Sequence, residues 1–213
     1  NQRFIVKKNI FLLLIVLFFM IPSCGKKDTT QNNTGKLKVG LVFDVGGRGD
    51  KSFNDAAYRG LEKAKQELGI EFEYIEPGPG ADREAALRQF SNRSDISIIF
   101  GIGFIFTDEI TKIAQEFPDK KYACVDYTVD PSKTIPPNLV ALEFREEEGS
   151  FLVGAIAGLM TKSNKVGFVG GMESPLIKKF QVSYEAGVKH VNQNCQILIG
   201  YAGVTGDAFK NPG

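Results

Sequence analysis

The chain has 213 residues, with 26 Lys or Arg, 25 Asp or Glu and a single His. The first 23 residues carry three of the basic side chains (Arg3, Lys7, Lys8) and no acidic one, which leaves 23 basic against 25 acidic, and no basic stripe for neutralising nucleic-acid phosphates. One histidine excludes a zinc site built from His, and any Ser-His-Asp or Cys-His catalyst would have to rely on His190 alone, which lies in a stretch with helical spacing and reads as an exposed helix residue.

Residues 1–23 read as an export signal. Arg3, Lys7 and Lys8 form a positive head, and Ile10 to Ile21 follow as an uninterrupted apolar run. That run is shorter than the ~20 residues a membrane-spanning helix needs. Ile-Pro-Ser-Cys at 21–24 then has the form of a bacterial lipobox, which makes Cys24 the expected site of lipidation and the mature N-terminus. Residues 24–35 are polar, without large apolar side chains, and are expected to be a flexible tether between lipid and domain. The other two cysteines, Cys124 and Cys195, lie in apolar strand-like runs and read as buried free thiols, although an exported protein could also pair them.

From residue 37 strand and helix patterns alternate. LKVGLVF (37–43) is a near-continuous apolar run, as in a buried parallel strand. Ala57, Leu61, Ala64 and Leu68 mark a helix that Gly69 ends. A half-covered strand (70–75), a break at PGPG (77–80) and a polar helix from Asp82 to Arg93 with Ala86 and Phe90 inward come next. Strand ISIIF (96–100) runs into Gly101-Ile102-Gly103, followed by a helix with Ile110, Ile113, Ala114 and Phe117 on one face. Strands YACVD (122–126) and NLVALEF (138–144) complete a first α/β lobe over residues 36–145. Glu146-Glu147-Glu148 open a helix whose small-residue run, 150–160, predicts tight packing between other elements. Strand 165–171, a long amphipathic helix through Leu176, Phe180, Tyr184 and Val188, and strand 195–202 restart the βαβ pattern. Residues 146–213 therefore read as a crossover helix and the start of a second doubly wound lobe. Two strands are thin for a stable sheet, so this lobe is expected to be incomplete, with further α/β units to follow.

The segment DVGGRGDKSFND (44–55) carries the chemistry. A phosphate loop would need glycines where Val45 and Asp50 stand, and the third glycine of a dinucleotide fingerprint starting at Gly47 is replaced by Ser52. Arg48-Gly49-Asp50 matches an adhesion tripeptide, but it lies between a buried strand and a helix. Its position favours a third reading, because ligands of open α/β sheets sit beyond the C-terminal ends of the strands. Asp44 is the first residue after strand one, and Ser52 is expected to cap the next helix in a box with Asp55. Phe53 and Asn54 then fall in its first turn, over the cleft. Asp126 and the glycines 101 and 103 repeat the arrangement at two further strand ends. Two carboxylates, an amide and a ring suit an uncharged polar ring compound better than an anion.

These segments resemble the basic membrane protein family of ABC-transporter substrate-binding lipoproteins, the purine nucleoside receptor A group. The similar stretches are IPSC, FDVGGRGDKSFND, GIGFIFTDEI, FPDKKYACVD, EGSFLVGAIAGLMTKSNKVGFVGGMESPLIKKF and YEAGV, in the family's order. The resemblance implies a type I periplasmic-binding fold, in which two α/β lobes close on a ligand about a hinge. It further implies a purine nucleoside as ligand, an ABC permease as partner, a bilayer anchor through Cys24 on the extracytoplasmic side, and neither cofactor, metal nor catalysis. Asp44, Phe53, Asn54 and Asp126 occupy family ligand positions. Phe209 in Phe-Lys-Asn-Pro (209–212) is the counterpart of a second stacking ring, with Asn211 where the family has an acid. Phe180 also matches a family Phe, but its helical spacing places it in the core. A sugar receptor of the same fold and a surface lipoprotein adhesin are the alternative readings.

Overall fold

A computed structural model describes residues 36–78 and 82–210. The predicted signal, the lipidated Cys24 and the tether lie outside these residues, as do Asn211 and Pro212. Among the described residues, seven strands form two parallel sheets.

The first lobe is built on a five-stranded sheet of order β2-β1-β3-β4-β5, comprising β1 (Lys38–Val42), β2 (Glu71–Ile75), β3 (Ile98–Ile102), β4 (Lys121–Val125) and β5 (Leu139–Leu142). All neighbours are parallel, with Val39 of β1 opposite Phe72 on one side and Ile98 on the other. The chain leaves β1 toward β2 through α1 (Phe53–Leu68), then returns past β1 to β3 through α2 (Arg83–Ser91) and continues to β4 through α3 (Thr107–Glu116). Since such crossovers share one hand, reversing direction puts α1 on one face and α2 and α3 on the other. Alternation along the strands divides the apolar side chains accordingly. Val39, Leu41 and Phe43 pack with Leu61 of α1, whereas Val42 and Ile99 pack with Phe90 of α2 and Ile110 and Ile113 of α3. The direction of winding changes between β1 and β3, the place where open sheets leave a crevice.

The second lobe pairs β6 (Lys165–Gly170) with β7 (Gln196–Tyr201) beside two helices, α4 (Glu146–Met160) and α5 (Pro175–Val191). The small-residue run acts where these helices meet. A Cβ added to Gly187 would lie 1.9 Å from the Phe151 carbonyl oxygen, and one added to Gly154 would lie 2.1 Å from that of Tyr184. The two backbones touch, which only glycine allows.

Three expectations are corrected. The 150–160 helix is packed on one side only: Leu152, Val153, Ile156, Leu159 and Met160 are exposed. Leu68 continues the spacing of Leu61 but is 76% exposed, on an apolar hollow that it lines with Leu37, Ile70 and Ile98. Ser52 holds the N-cap position of α1, yet its side chain caps nothing. Asp50 does that work, accepting from the amides of Ser52, Asn54 and Asp55 at 2.9, 2.8 and 3.1 Å. The expected end of α1 holds. Gly69 closes α1 at φ 68°, and the side chains of Asp82 and Ser174 cap α2 and α5.

Candidate functional site

The C-terminal ends of β1, β3 and β4 open onto one cavity of about 330 Å³, within the roughly 300–1,000 Å³ range of small-molecule sites. Asp44, directly after β1, is nearly buried. Its N–H donates to Asn54 Oδ1 at 3.1 Å, and its Oδ1 accepts from the Val45 N–H at 2.6 Å. Its other oxygen faces Gly103, where a Cβ would come within 2.8 Å, and the backbone there has φ +108°, so the site needs glycine twice over. Burial pushes the Asp44 carboxyl up to about 6, with the nearby Asp50 charge adding to the effect and the Val45 N–H and the Arg83 charge opposing it.

Asn54 is buried at the N-terminus of α1, and its Nδ2 donates to Asp50 Oδ2 at 3.3 Å. Burial works against charge on Asp50, but the amides of Ser52, Asn54 and Asp55 and the Asn54 side chain outweigh it and hold this carboxyl below its usual range. The loop is closed further by Asp55, which accepts from the amides of Gly49 and Lys51, and by Glu76, which accepts from that of Arg48. The Arg48 guanidinium lies 3.5 Å from the centre of the Tyr58 ring. Both charged members of the adhesion-like tripeptide are therefore engaged within the fold.

Asp126 follows β4 with φ 58°, an unusual backbone for a residue other than glycine, and its N–H donates to Leu142 O at 2.8 Å. Burial pushes its carboxyl up to about 6, the charges of Glu146 and Asp44 add to this, and Lys179 opposes it. Asp126 also borders a second, smaller hollow of about 150 Å³, where Lys179 bonds Glu146 at 2.7 Å and the carbonyl of Phe144 in the interlobe connection at 3.1 Å.

All five expected cavity residues, Asp44, Phe53, Asn54, Asp126 and Phe209, line this first cavity in the cleft. Phe180 corrects the reading from spacing. It lines the cavity with Leu176 and Ile177, because the N-terminal half of α5 faces the crevice and only its C-terminal half, at Tyr184 and Val188, reaches the second core. Phe104 was missed, although it directly follows the strand-end glycine Gly103 and so stood at a flagged position. His190 is exposed on α5, beside Phe151. Cys124 and Cys195 are buried and unpaired, and burial pushes the Cys124 thiol up to about 12, far from a reactive thiolate. Among the described residues no three His, Cys, Asp or Glu side chains are grouped to hold a metal ion, and no helix is long and apolar enough to cross a membrane.

Comparison with known proteins agrees with this arrangement. The chain is 38% identical over 187 residues to an uncharacterised lipoprotein of Pyrococcus furiosus, covering 86% of this chain and 46% of that protein. It is 36% identical over 203 residues to basic membrane protein A of Borreliella burgdorferi, covering 93% and 57%. An ABC transporter solute-binding protein of Aeropyrum pernix superposes with a TM-score of 0.71 at 32% identity, over 78% of this chain and 48% of that one. The chain spans about half the length of the curated relatives it matches. Residues 37–212 match the family model described as ABC transporter substrate-binding protein PnrA-like, and the chain belongs to that family.

Proposed function

We propose that this protein is the lipid-anchored receptor of an ABC importer, that it holds a purine nucleoside between its lobes, and that it passes the nucleoside on to a membrane permease unchanged. The observation that carries this reading is the composition of the cleft cavity. Phe53, Phe180 and Phe209 supply ring faces and edges, with Phe104 set against Phe209, while Asp44, Asn54 and Asp126 supply acceptors and an amide at the strand ends. A purine offers a flat apolar face to the rings, and its edge N–H groups and ribose hydroxyls offer donors to the carboxylates. Four phenylalanines fit a heterocycle better than a bare sugar, which is small and polar all round. The adhesin reading loses its main support because Arg48 and Asp50 are occupied by Tyr58 and by the cap of α1. The lipid anchor rests on the Cys24 motif, in line with relatives that are named lipoproteins.

The test is calorimetric titration of the full-length, ligand-free protein with guanosine, adenosine and inosine, beside ribose, glucose and guanosine monophosphate. Nucleosides are expected to bind and to be recovered intact, whereas the phosphate of the nucleotide meets carboxylates and is rejected. Asp126→Ala is expected to cost a charged hydrogen bond, about 1.5–3 kcal/mol, or roughly 10- to 150-fold in Kd. Folded, empty protein that binds no nucleoside would overturn the reading. Palmitate labelling that survives Cys24→Ser would overturn the anchor.

A further inference from the structure

Phe104 and Phe209 belong to opposite lobes. Phe104 opens the 3-10 turn Phe104–Phe106 after β3, and Phe209 lies in the turn Gly206–Lys210 after β7. Their ring centroids are 6.0 Å apart at 78°, an edge-to-face pair that spans the cleft. The Phe209 ring also rests on its own lobe at Gly171, where an added Cβ would lie 2.3 Å from the ring. The same turn approaches the first lobe again at Gly206, where a Cβ would stand 3.7 Å from Val45 Cγ2 and 3.9 Å from Ile105 Cγ2. Phe209 is otherwise poorly held: it is 39% exposed and lies in a short turn with no buried residue.

We propose that Phe104 is a positioning residue that braces Phe209 across the cleft, so that Phe209 presents its ring to the ligand only when the lobes are together. Gly171 limits the ring from one side and the Phe104 contact from another, which leaves the cavity-facing surface free for a flat ligand. With the lobes apart, the contact with Phe104 is lost and Phe209 keeps only the support of Gly171. The brace thereby ties closure to the part of the ligand that stacks, the heterocycle, rather than to the sugar. This inference rests on the nucleoside reading for its ligand, but the pairing of the rings does not.

Two measurements on the full-length protein test it. The first is a double-mutant cycle of Phe104→Leu and Phe209→Leu on guanosine affinity. Each single substitution is expected to weaken binding roughly 3- to 10-fold, the range of an aromatic pair. Phe104→Leu should cost nothing further once Phe209 is Leu, and Phe104→Tyr should keep wild-type affinity. Additive losses would overturn the brace, because Phe104 would then act independently of Phe209. The second is the 19F resonance of 4-fluorophenylalanine placed at position 209, recorded with and without guanosine. The ring current of Phe104 is expected to shift it, and Phe104→Leu to remove the shift while Phe104→Tyr retains it. An unchanged resonance in Phe104→Leu would overturn the pairing. Wild-type protein that binds no guanosine but shows the ring-current shift would remove the nucleoside reading and leave the pairing standing.

Discussion

Among the described residues, the two lobes contribute unequally to the buried core and to the site. The first buries a large core on both faces of five strands, with Leu87, Ile99, Phe106, Ile110 and Ile113 fully inaccessible. Among the described residues of the second, Tyr184, Val188 and Cys195 form the buried cluster, and its closest packing is backbone on backbone at Gly154 and Gly187. The site is divided in the same direction. Among the described residues, every polar group that lines the cleft cavity (Asp44, Asp50, Ser52, Asn54, Asp126) comes from the first lobe, while Leu176, Ile177, Phe180 and Phe209 from the second are all apolar. The five-stranded lobe carries hydrogen-bond geometry, which tolerates little displacement, and the described part of the second carries an apolar wall, which tolerates more.

The largest expected effect tests this contrast in the core. Phe90→Ala should cost about 3–5 kcal/mol of unfolding free energy through the cavity it opens in the first lobe. The second lobe should fail for the opposite reason: Gly187→Ala adds a methyl where there is no space, costing about 1–3 kcal/mol by forcing α4 from α5. Denaturant unfolding measures the first. Hydrogen exchange should confine the second to α4 and α5, and spread of lost protection into β1 and β3 would show that the lobes do not divide in this way.

A smaller effect concerns pH. The Asp44 carboxyl is raised by burial from 3.8 to about 6, so the folded state holds its proton more tightly than the unfolded chain does. Its contribution to stability is fully present below about pH 4 and is lost as the pH rises through about 6. Asp44→Asn should flatten that slope and raise stability at neutral pH by on the order of 2 kcal/mol relative to wild type. Nucleoside affinity should move the other way, because the ionised carboxylate is the stronger acceptor, and it should fall in wild type below about pH 6. Thermal unfolding and titrations from pH 4.5 to 8 measure the two. Parallel changes would show that Asp44 is structural rather than part of the readout. The smallest effect separates the two cap residues of α1. Asp50→Ala should cost about 1–2 kcal/mol and Ser52→Ala only a few tenths, since three amides depend on Asp50 and the Ser52 side chain caps nothing.

The sequence by itself determined the succession of strands and helices and the positions of Asp44, Asn54 and Asp126. Continuous apolar runs specify buried parallel strands, and the first polar residue after such a run must lie at a strand end. It also predicted close packing for the small-residue run 150–160, though not that α5 is its partner, which meets it at Gly154 and Gly187. Only the tertiary structure decided which apolar side chains are covered. Periodicity records the apolar face of a helix but not what lies against it. Leu68 and Leu152 therefore resembled core and are exposed, while Phe180 resembled core and faces the cavity. The choice of Asp50 over Ser52 as the cap, and the meeting of Phe104 with Phe209, depend on how loops turn in space. Those turns join residues up to 105 positions apart along the chain, a separation across which no local pattern carries information.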